Sequence, residues 1–94
     1  AFQASESRQL LQQNYPNPFS ASTNIEFELS RAADVQLEIL TITGQRIYQV
    51  QAHYDAGVHQ IVVEGSLFPE SGIYYYQIES EGYRQTRKMI FVRE

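Results

Sequence analysis

Cysteine and tryptophan are absent from this 94-residue sequence, and positive charge is scarce. Without cysteine the chain can form no disulfide bond and no thiolate metal site. Its 7 Lys and Arg against 11 Asp and Glu give a net charge of −4, which argues against a surface that follows nucleic-acid phosphates. No apolar run approaches the about 18 residues that span a bilayer. These absences leave a small, acidic chain with the length of one domain.

The start of the sequence also lacks familiar signals. Ala1 to Gln13 have neither the basic start nor the apolar run of a signal peptide, and the first residue is not methionine. We therefore expect either a cytosolic protein or a piece of a longer secreted chain, and the missing methionine favours the piece. We expect residues 1–9 to be a linker from an upstream domain, exposed to cleavage, and residues 10–94 to be the folded domain.

Two prolines one residue apart separate a polar, unpatterned start from a strongly patterned remainder. They stand in Tyr15-Pro16-Asn17-Pro18-Phe19, here called the proline segment. Proline fixes φ at about −65°, removes a backbone donor and pushes the preceding residue toward extended conformations. No helix and no central strand can pass through such a stretch. We expect a rigid, extended entry to the fold, in which Phe19, with Tyr15 as a second candidate, pins the first strand to the core.

After the proline segment, apolar and polar residues alternate with a period of two, which is typical of half-buried strands. Turns are predicted at Gly44 and Glu81-Gly82, a bulge at 40–42, and loops at 53–57 and 65–71, where Leu67 and Phe68 plug one end of the core. Short strands at a spacing of about ten residues predict an all-β antiparallel sandwich of about seven strands, and an open barrel is less favoured. The predicted strands are 9–13, 24–30, 35–39, 45–52, 58–64, 73–78 and 83–93.

Residues that could carry catalysis are few and poorly spaced. His53 and His59 stand in no glycine-framed serine motif, so we expect a surface His53 and a half-buried His59 rather than a catalytic base. With Asp55 they could converge on zinc across a hairpin, which is a weak candidate without cysteine. We therefore predict no enzyme activity, no metal and no cofactor.

Two clusters leave alternatives open. In a strand, Tyr74 and Tyr76 of Tyr74-Tyr75-Tyr76 share one face, which we assign to the core, and Tyr75 takes the other. An accessory module that binds carbohydrate or packs on a catalytic domain is the alternative function, with an aromatic platform of Tyr75, Tyr48 and Tyr54. The second cluster is basic. It either forms a solvated edge-strand face or steers an anionic partner, and comprises Arg84, Arg87, Lys88 and Arg93.

Seven motifs in fixed order run along most of the chain. They are Leu11 to Phe19, Thr23-Asn24-Ile25, Val35 to Ile39, Thr43-Gly44-Gln45, Ala56 to His59, Ser71 to Tyr76, and Lys88-Met89. Together they resemble the type A C-terminal sorting domain of the type IX secretion system, over residues 10–94. One departure is Ser20-Ala21-Ser22, where many members have Asn-Pro-Ser.

The resemblance implies an immunoglobulin-like β-sandwich at the end of a protein that a Gram-negative bacterium secretes or displays on its surface. Such a domain directs an attached cargo through the type IX outer-membrane translocon and its shuttle proteins. A sortase-like surface peptidase then removes it, and the cargo is released or attached to the cell surface. By position, the family's terminal signal region falls on residues 82–93.

We therefore predict that the translocon recognises residues of the last strand, and that the proline segment is structural. If that strand lies at a sheet edge, its backbone could also accept an added strand. The predicted recognition residues are Gly82, Arg84, Arg87, Lys88, Met89, Val92 and Arg93, and the structural residues are Tyr15, Pro16, Asn17, Pro18 and Phe19.

Overall fold

The computed structural model describes residues 9–94, so most of the predicted linker lies outside the described residues. Seven strands and one 3-10 turn make up the regular structure of this range, which contains no α-helix. The elements are β1 Gln9–Leu11, β2 Ser22–Leu29, β3 Ala33–Thr41, β4 Arg46–Tyr54, β5 Gly57–Glu64, the 3-10 turn Gly65–Leu67, β6 Gly72–Ser80 and β7 Tyr83–Phe91.

The strands form two antiparallel sheets that pack face to face. The smaller sheet has the order β1-β2-β5 and the larger has the order β4-β3-β6-β7. This arrangement confirms the predicted β-sandwich, and it places β7 at a sheet edge. On one side of the sandwich the edge strands are β1 and β7, and on the other side they are β4 and β5.

The core forms where the inward residues of the two sheets meet, because strand side chains alternate between faces. The predicted inward face of β2 is confirmed, since Ile25, Phe27 and Leu29 are at most 4% exposed. Each fully buried aliphatic or aromatic side chain contributes about 1.5–3 kcal/mol of transfer free energy. The other buried core side chains come from β1, β3, β5, β6, β7 and two connections: Leu11, Phe19, Val35, Leu37, Ile39, Val63, Phe68, Tyr74, Tyr76, Ile78, Met89 and Phe91.

An aromatic cluster closes the end of the core near the 3-10 turn. Phe68 is 1% exposed, and its ring centre lies 5.2 Å from that of Phe19, 4.8 Å from Tyr74 and 5.1 Å from Phe91. The tilted and edge-on geometry of most of these pairs is favoured by the ring quadrupole. Phe68 is therefore the predicted plug, whereas Leu67 is only partly buried.

The connection between β4 and β5 differs from the predicted loop at 53–57. β4 continues to Tyr54 because its ring packs inward, 5.2 Å from Phe27, so only Asp55 and Ala56 lie between the strands. The two residues cross from one sheet to the other and do not form a hairpin. The register of the β3–β4 pair shifts between Ile39 and Leu40, but the extra residue without a partner is Ile47 of β4, so the bulge lies in the partner strand and not at residues 40–42.

Of the five glycines, only Gly65 is closely surrounded by other backbone atoms. Its N–H donates to the Ala21 carbonyl at 2.8 Å, and a Cβ there would lie 1.9 Å from the carbonyl oxygen of Ser20. That oxygen belongs to the backbone and cannot swing away. The connection after the proline segment therefore packs directly on Gly65.

We expect Gly65→Ala to destabilise the domain by about 1–3 kcal/mol, the usual cost of overpacking. Urea unfolding followed by circular dichroism measures the change. Ser66→Ala is the control, because Ser66 is exposed in the same turn. Equal unfolding midpoints for the two variants would contradict the close packing.

Candidate functional site at the β7 edge

The proline segment lies along the second half of β7 and covers its outward edge. Phe19 forms a parallel bridge with Phe91, in which Phe19 N–H donates to the Ile90 carbonyl at 3.1 Å and Val92 N–H donates to the Phe19 carbonyl at 2.9 Å. The Asn17 Oδ1 accepts a hydrogen bond from Ile90 N–H at 2.9 Å. This part of the edge therefore already has a partner within the chain.

Side chains of β7 and of the segment after β1 close the rest of this side. Gln85 Oε1 accepts from Leu11 N–H at 3.0 Å, and Arg87 Nε donates to the Leu11 carbonyl at 2.7 Å. Further along, Gln13 Nε2 donates to the Lys88 carbonyl at 2.7 Å. These bonds and those of the proline segment are here called the β1–β7 seam. They join the beginning of the described chain to its end.

A buried polar network anchors the seam to the core through Tyr76. The Tyr76 hydroxyl accepts from Asn14 N–H at 2.8 Å and donates to the Gln12 carbonyl at 2.7 Å. Asn14 Nδ2 donates in turn to Thr23 Oγ1 at 3.0 Å. Asn14 and Thr23 are 2% and 1% exposed, so each lost partner would leave a buried polar group unsatisfied. Burial raises the pKa of the Tyr76 hydroxyl, although the Asn14 N–H and the Arg87 charge oppose the shift.

The proline segment differs from its predicted form in three respects. It bends at residues 16–18, where both X-Pro bonds are cis, and is not extended. Phe19 is buried as expected, but it pins the last strand and not the first. The Tyr15 side chain is 78% exposed, because only the Tyr15 backbone joins the sheet, through a bridge to Asn24.

The predicted recognition residues fall into different environments. Met89 is fully buried in the core, and Gly82 forms the turn before β7 with φ of 85°. Arg87 is part of the β1–β7 seam. Arg93 Nη2 donates to the carbonyls of Phe68 and Pro69, which ties the chain end to the aromatic plug. The side chains of Arg87 and Arg93 are thus engaged within the domain.

Arg84 and Lys88 project from the outer face of β7. Arg84 pairs with Glu79 at 3.3 Å on the neighbouring strand. The Lys88 ammonium makes no ion pair within residues 9–94. Val92, just past the strand, is 46% exposed. Lys88 is therefore the cation of this strand that is most available to another molecule.

An apolar patch adjoins Lys88 on the same face, and the sequence patterns did not single it out. Tyr75 is paired with Lys88 and with Leu40 in register, and Ile73 is paired with Ile90. Five residues beside Lys88 are here called the outer patch: Leu40, Ile42, Ile73, Tyr75 and Ile90. Ile42 and Ile73 are 66% and 40% exposed. The turn at Glu81-Gly82 sets the register of β6 and β7. It was the one sequence signal that could have predicted the pairing of Tyr75 with Lys88 and of Ile73 with Ile90.

The other candidate sites are not assembled. Tyr48 and Tyr54 face inward on β4 whereas Tyr75 faces outward, so the three rings form no common platform. The zinc grouping, which the sequence offered only as a weak candidate, is not formed among the described residues either. His53 Nδ1 contacts Asp34 Oδ1 at 2.8 Å, and His59 Nε2 contacts the Asp55 carbonyl at 2.7 Å. Across the described range, no three His, Asp or Glu side chains are close enough to hold a metal ion.

Comparison with known families decides the identity of the domain. The family model described as the secretion system C-terminal sorting domain matches residues 13–92, which contain the proline segment and all of β7. The chain belongs to this sorting-domain family. Its members serve as C-terminal sorting signals of type IX secretion, through the outer membrane of Gram-negative bacteria, and are not themselves catalytic. No curated protein matches the chain significantly.

Strands are the main regular structure in the described part of the sorting domain. Within residues 9–94, no helix is long and apolar enough to cross a membrane.

We expect Phe19→Ala to destabilise the sorting domain by about 3–5 kcal/mol, because it empties a buried aromatic site and loosens the end of β7. Tyr15→Ala is the control in the same segment and should cost no more than about 0.5 kcal/mol. Urea unfolding measures both. Unchanged stability of Phe19→Ala, together with failed secretion of a fused cargo, would make the proline segment a recognition site instead.

We expect Tyr76→Phe to cost about 1–3 kcal/mol at neutral pH, because Asn14 N–H and the Gln12 carbonyl lose their partner. The raised pKa of Tyr76 stabilises the fold at and below neutral pH, and this contribution is lost as pH rises above about 10, where the unfolded tyrosine ionises first. The difference between the two proteins should therefore narrow in alkaline solution. Urea unfolding across that pH range measures it, with Tyr75→Phe as control. A constant difference would contradict the assignment.

Proposed function

We propose that the translocon recognises the sorting domain through the outer face of β7 and β6, with Lys88 at its centre. Lys88 is exposed and makes no ion pair with any described residue, and Tyr75 lies beside it. The outer patch next to it exposes apolar side chains that a partner can bury. A cation beside an apolar and aromatic surface fits a partner with an acidic group next to an apolar one.

Side chains, and not a long stretch of open backbone, carry this recognition. The edge of β7 from Lys88 onward is occupied by Gln13, Asn17 and Phe19. Only the first half of the strand, around Arg84 to Thr86, keeps an outward edge without a backbone partner among residues 9–94. Three residues are too few for a stable added strand, since strands in proteins usually have about 5 or 6 residues.

Met89, Arg87 and Arg93 serve recognition indirectly. Met89 holds the strand in the core, and the two arginines hold its edge and its end. Gly82 sets the turn that brings β7 beside β6. On this proposal Arg84 and Val92 are peripheral contacts, because Arg84 already shares its charge with Glu79.

We further propose that residues 1–9 link the domain to an upstream cargo, and that a sortase-like surface peptidase cleaves in or near this linker. The polar, unpatterned sequence of this stretch supports the proposal. The cargo would then be released or attached at the cell surface. The shuttle proteins of the outer membrane would meet the domain after the translocon.

Secretion of a cargo fused to the domain tests the recognition surface. We expect Lys88→Glu to reduce secretion at least about tenfold, since a repulsive charge replaces the attractive one. Lys88→Gln should give a smaller loss. Arg31→Gln is the matched control, because it removes an exposed cation that is not part of β7 and that already pairs with Glu81 in the turn before this strand. Thermal unfolding of each purified domain should stay unchanged.

Normal secretion of Lys88→Glu would overturn the proposal. Surface substitution is more informative here than deletion of β7. Such a deletion removes Met89 and Phe91 from the core, so the rest of the domain would not fold.

A further inference from the structure

The sandwich has one closed side and one open side. On the closed side, the β1–β7 seam joins the two sheets. On the other side, β4 and β5 are both edge strands. Apart from the buried Val63 of β5, their larger inward side chains are only partly buried, in contrast to those of β2, β3 and β6. The set includes Tyr48, Val50, Tyr54 and Ile61.

The two open strands diverge from their connection toward the far end. Near the Asp55-Ala56 crossover the sheets touch, since the ring centres of Tyr54 and His59 are 4.8 Å apart. At the other end lies a groove of ≈ 430 Å³, lined by Tyr48, Val62, Val63, Glu64, Ser66 and Leu67. Apolar surface therefore remains exposed beside the first half of β4.

The edge of β4 lacks the usual protection of an exposed strand. Edge strands normally carry charges or proline, or are covered, because their free backbone groups pair readily with another strand. From Ile47 to Tyr54 this strand has no Lys, Arg, Asp, Glu or Pro, and its outer face shows Gln49, Gln51 and His53. Arg46 is the only charged residue of β4 at neutral pH, and it is paired with Glu38 at 3.0 Å. No hydrogen bond from elsewhere in residues 9–94 covers its outward backbone.

We propose that β4 pairs antiparallel with β4 of a second copy, which joins two four-stranded sheets into one. A two-fold axis at Gln51 keeps the inner faces aligned. It sets Tyr48 opposite Tyr54, and Val50 opposite Ala52, on the inner side. On the outer side Gln49 meets His53, and Gln51 meets itself. Aromatic and amide pairs of this kind stabilise neighbouring strands, and no like charges meet.

Self-pairing fits β4 and not the other edge of the sheet. An antiparallel β7 pair centred on Thr86 would set Arg84 opposite Lys88, and the proline segment already covers half of β7. In the dimer the two β7 strands become the outer edges, so growth of the sheet stops at two copies. The symmetric, closed interface is the commonest form of homodimer.

The interface is small, since it consists of one strand pair and a few side chains. Stable complexes bury about 1,200 Å² or more. We therefore expect a reversible dimer with a dissociation constant on the order of 100 μM. This inference does not depend on the proposed recognition surface, which lies on β6 and β7.

Sedimentation equilibrium of the 94-residue chain from about 10 μM to about 1 mM tests the pairing. We expect wild type to shift from monomer to dimer across this range. Gln51→Lys should weaken association at least about tenfold, because two ammonium groups then face each other across the axis. The net charge falls in magnitude with this change, so general repulsion between copies cannot explain the loss. Thr86→Lys, on the outer face of β7, is the matched control.

Charge pairing gives the decisive result. An equimolar mixture of Gln51→Lys and Gln51→Glu should regain association at or above that of wild type, while each variant alone associates at least about tenfold more weakly than wild type. Circular dichroism and thermal unfolding confirm that each variant is folded. A wild type that stays monomeric throughout, association that Gln51→Lys leaves unchanged, or a mixture that does not associate would overturn the proposal.

Discussion

The hydrogen bonds between the proline segment and β7 hold the beginning and the end of the described chain together. Phe19 exchanges backbone hydrogen bonds with Ile90 and Val92, and Tyr76 ties the preceding residues to the core. These contacts join residues more than 60 positions apart. Neither partner keeps its place without the other, because each covers polar backbone groups of the other. Folding of the sandwich therefore requires the complete domain through β7.

This dependence has a consequence for sorting. The outer face of β7 takes its shape only when the strand is docked, and docking requires Met89 and Phe91 in the core and the proline segment along the edge. A truncated or unfolded chain would not present Lys88 beside Tyr75. If the translocon recognises this face, as proposed, the signal also reports that the domain is complete and folded.

Period-two alternation allowed the sandwich, the inward face of β2 and the core role of Tyr74 and Tyr76 to be predicted from sequence. Alternation works there because both sheets have one buried face. The seven motifs in fixed order allowed the sorting function to be predicted through the resemblance to the family. The roles of Arg87 and Arg93 were not, because a cluster of basic residues looks the same whether it faces solvent or bonds to carbonyls of a distant segment. Their partners, Leu11, Phe68 and Pro69, are neighbours only after folding.

Two other differences have a local cause. His53 and Tyr54 resembled loop residues because they precede Asp55, Ala56 and Gly57, yet Tyr54 extends the strand by burying its ring against Phe27. The faces of β4 could not be assigned from sequence, because the bulge opposite Ile39 and Leu40 changes the phase of the strand. A shift of one residue exchanges the two faces of a strand. The tyrosine platform was excluded only when the register was known.

The two edge strands of the larger sheet, β4 and β7, differ in how their exposed backbone groups are protected. β7 combines several cations with a cover from its own chain, whereas β4 has one cation, Arg46 at its start, and no such cover from residues 9–94. Charged side chains on β4 would be the simplest protection against aggregation. Exposed outward positions such as Gln49 and Gln51 could carry them, but they carry glutamine instead. The long uncharged stretch of β4, from Ile47 to Tyr54, instead suits antiparallel pairing with the same strand of a second copy. Because β4 and β7 are separated by β3 and β6, pairing at one edge leaves the face around Lys88 open at the other. On the two proposals together, the sheet would bind a second copy at β4 and the translocon at the β6–β7 face at the same time.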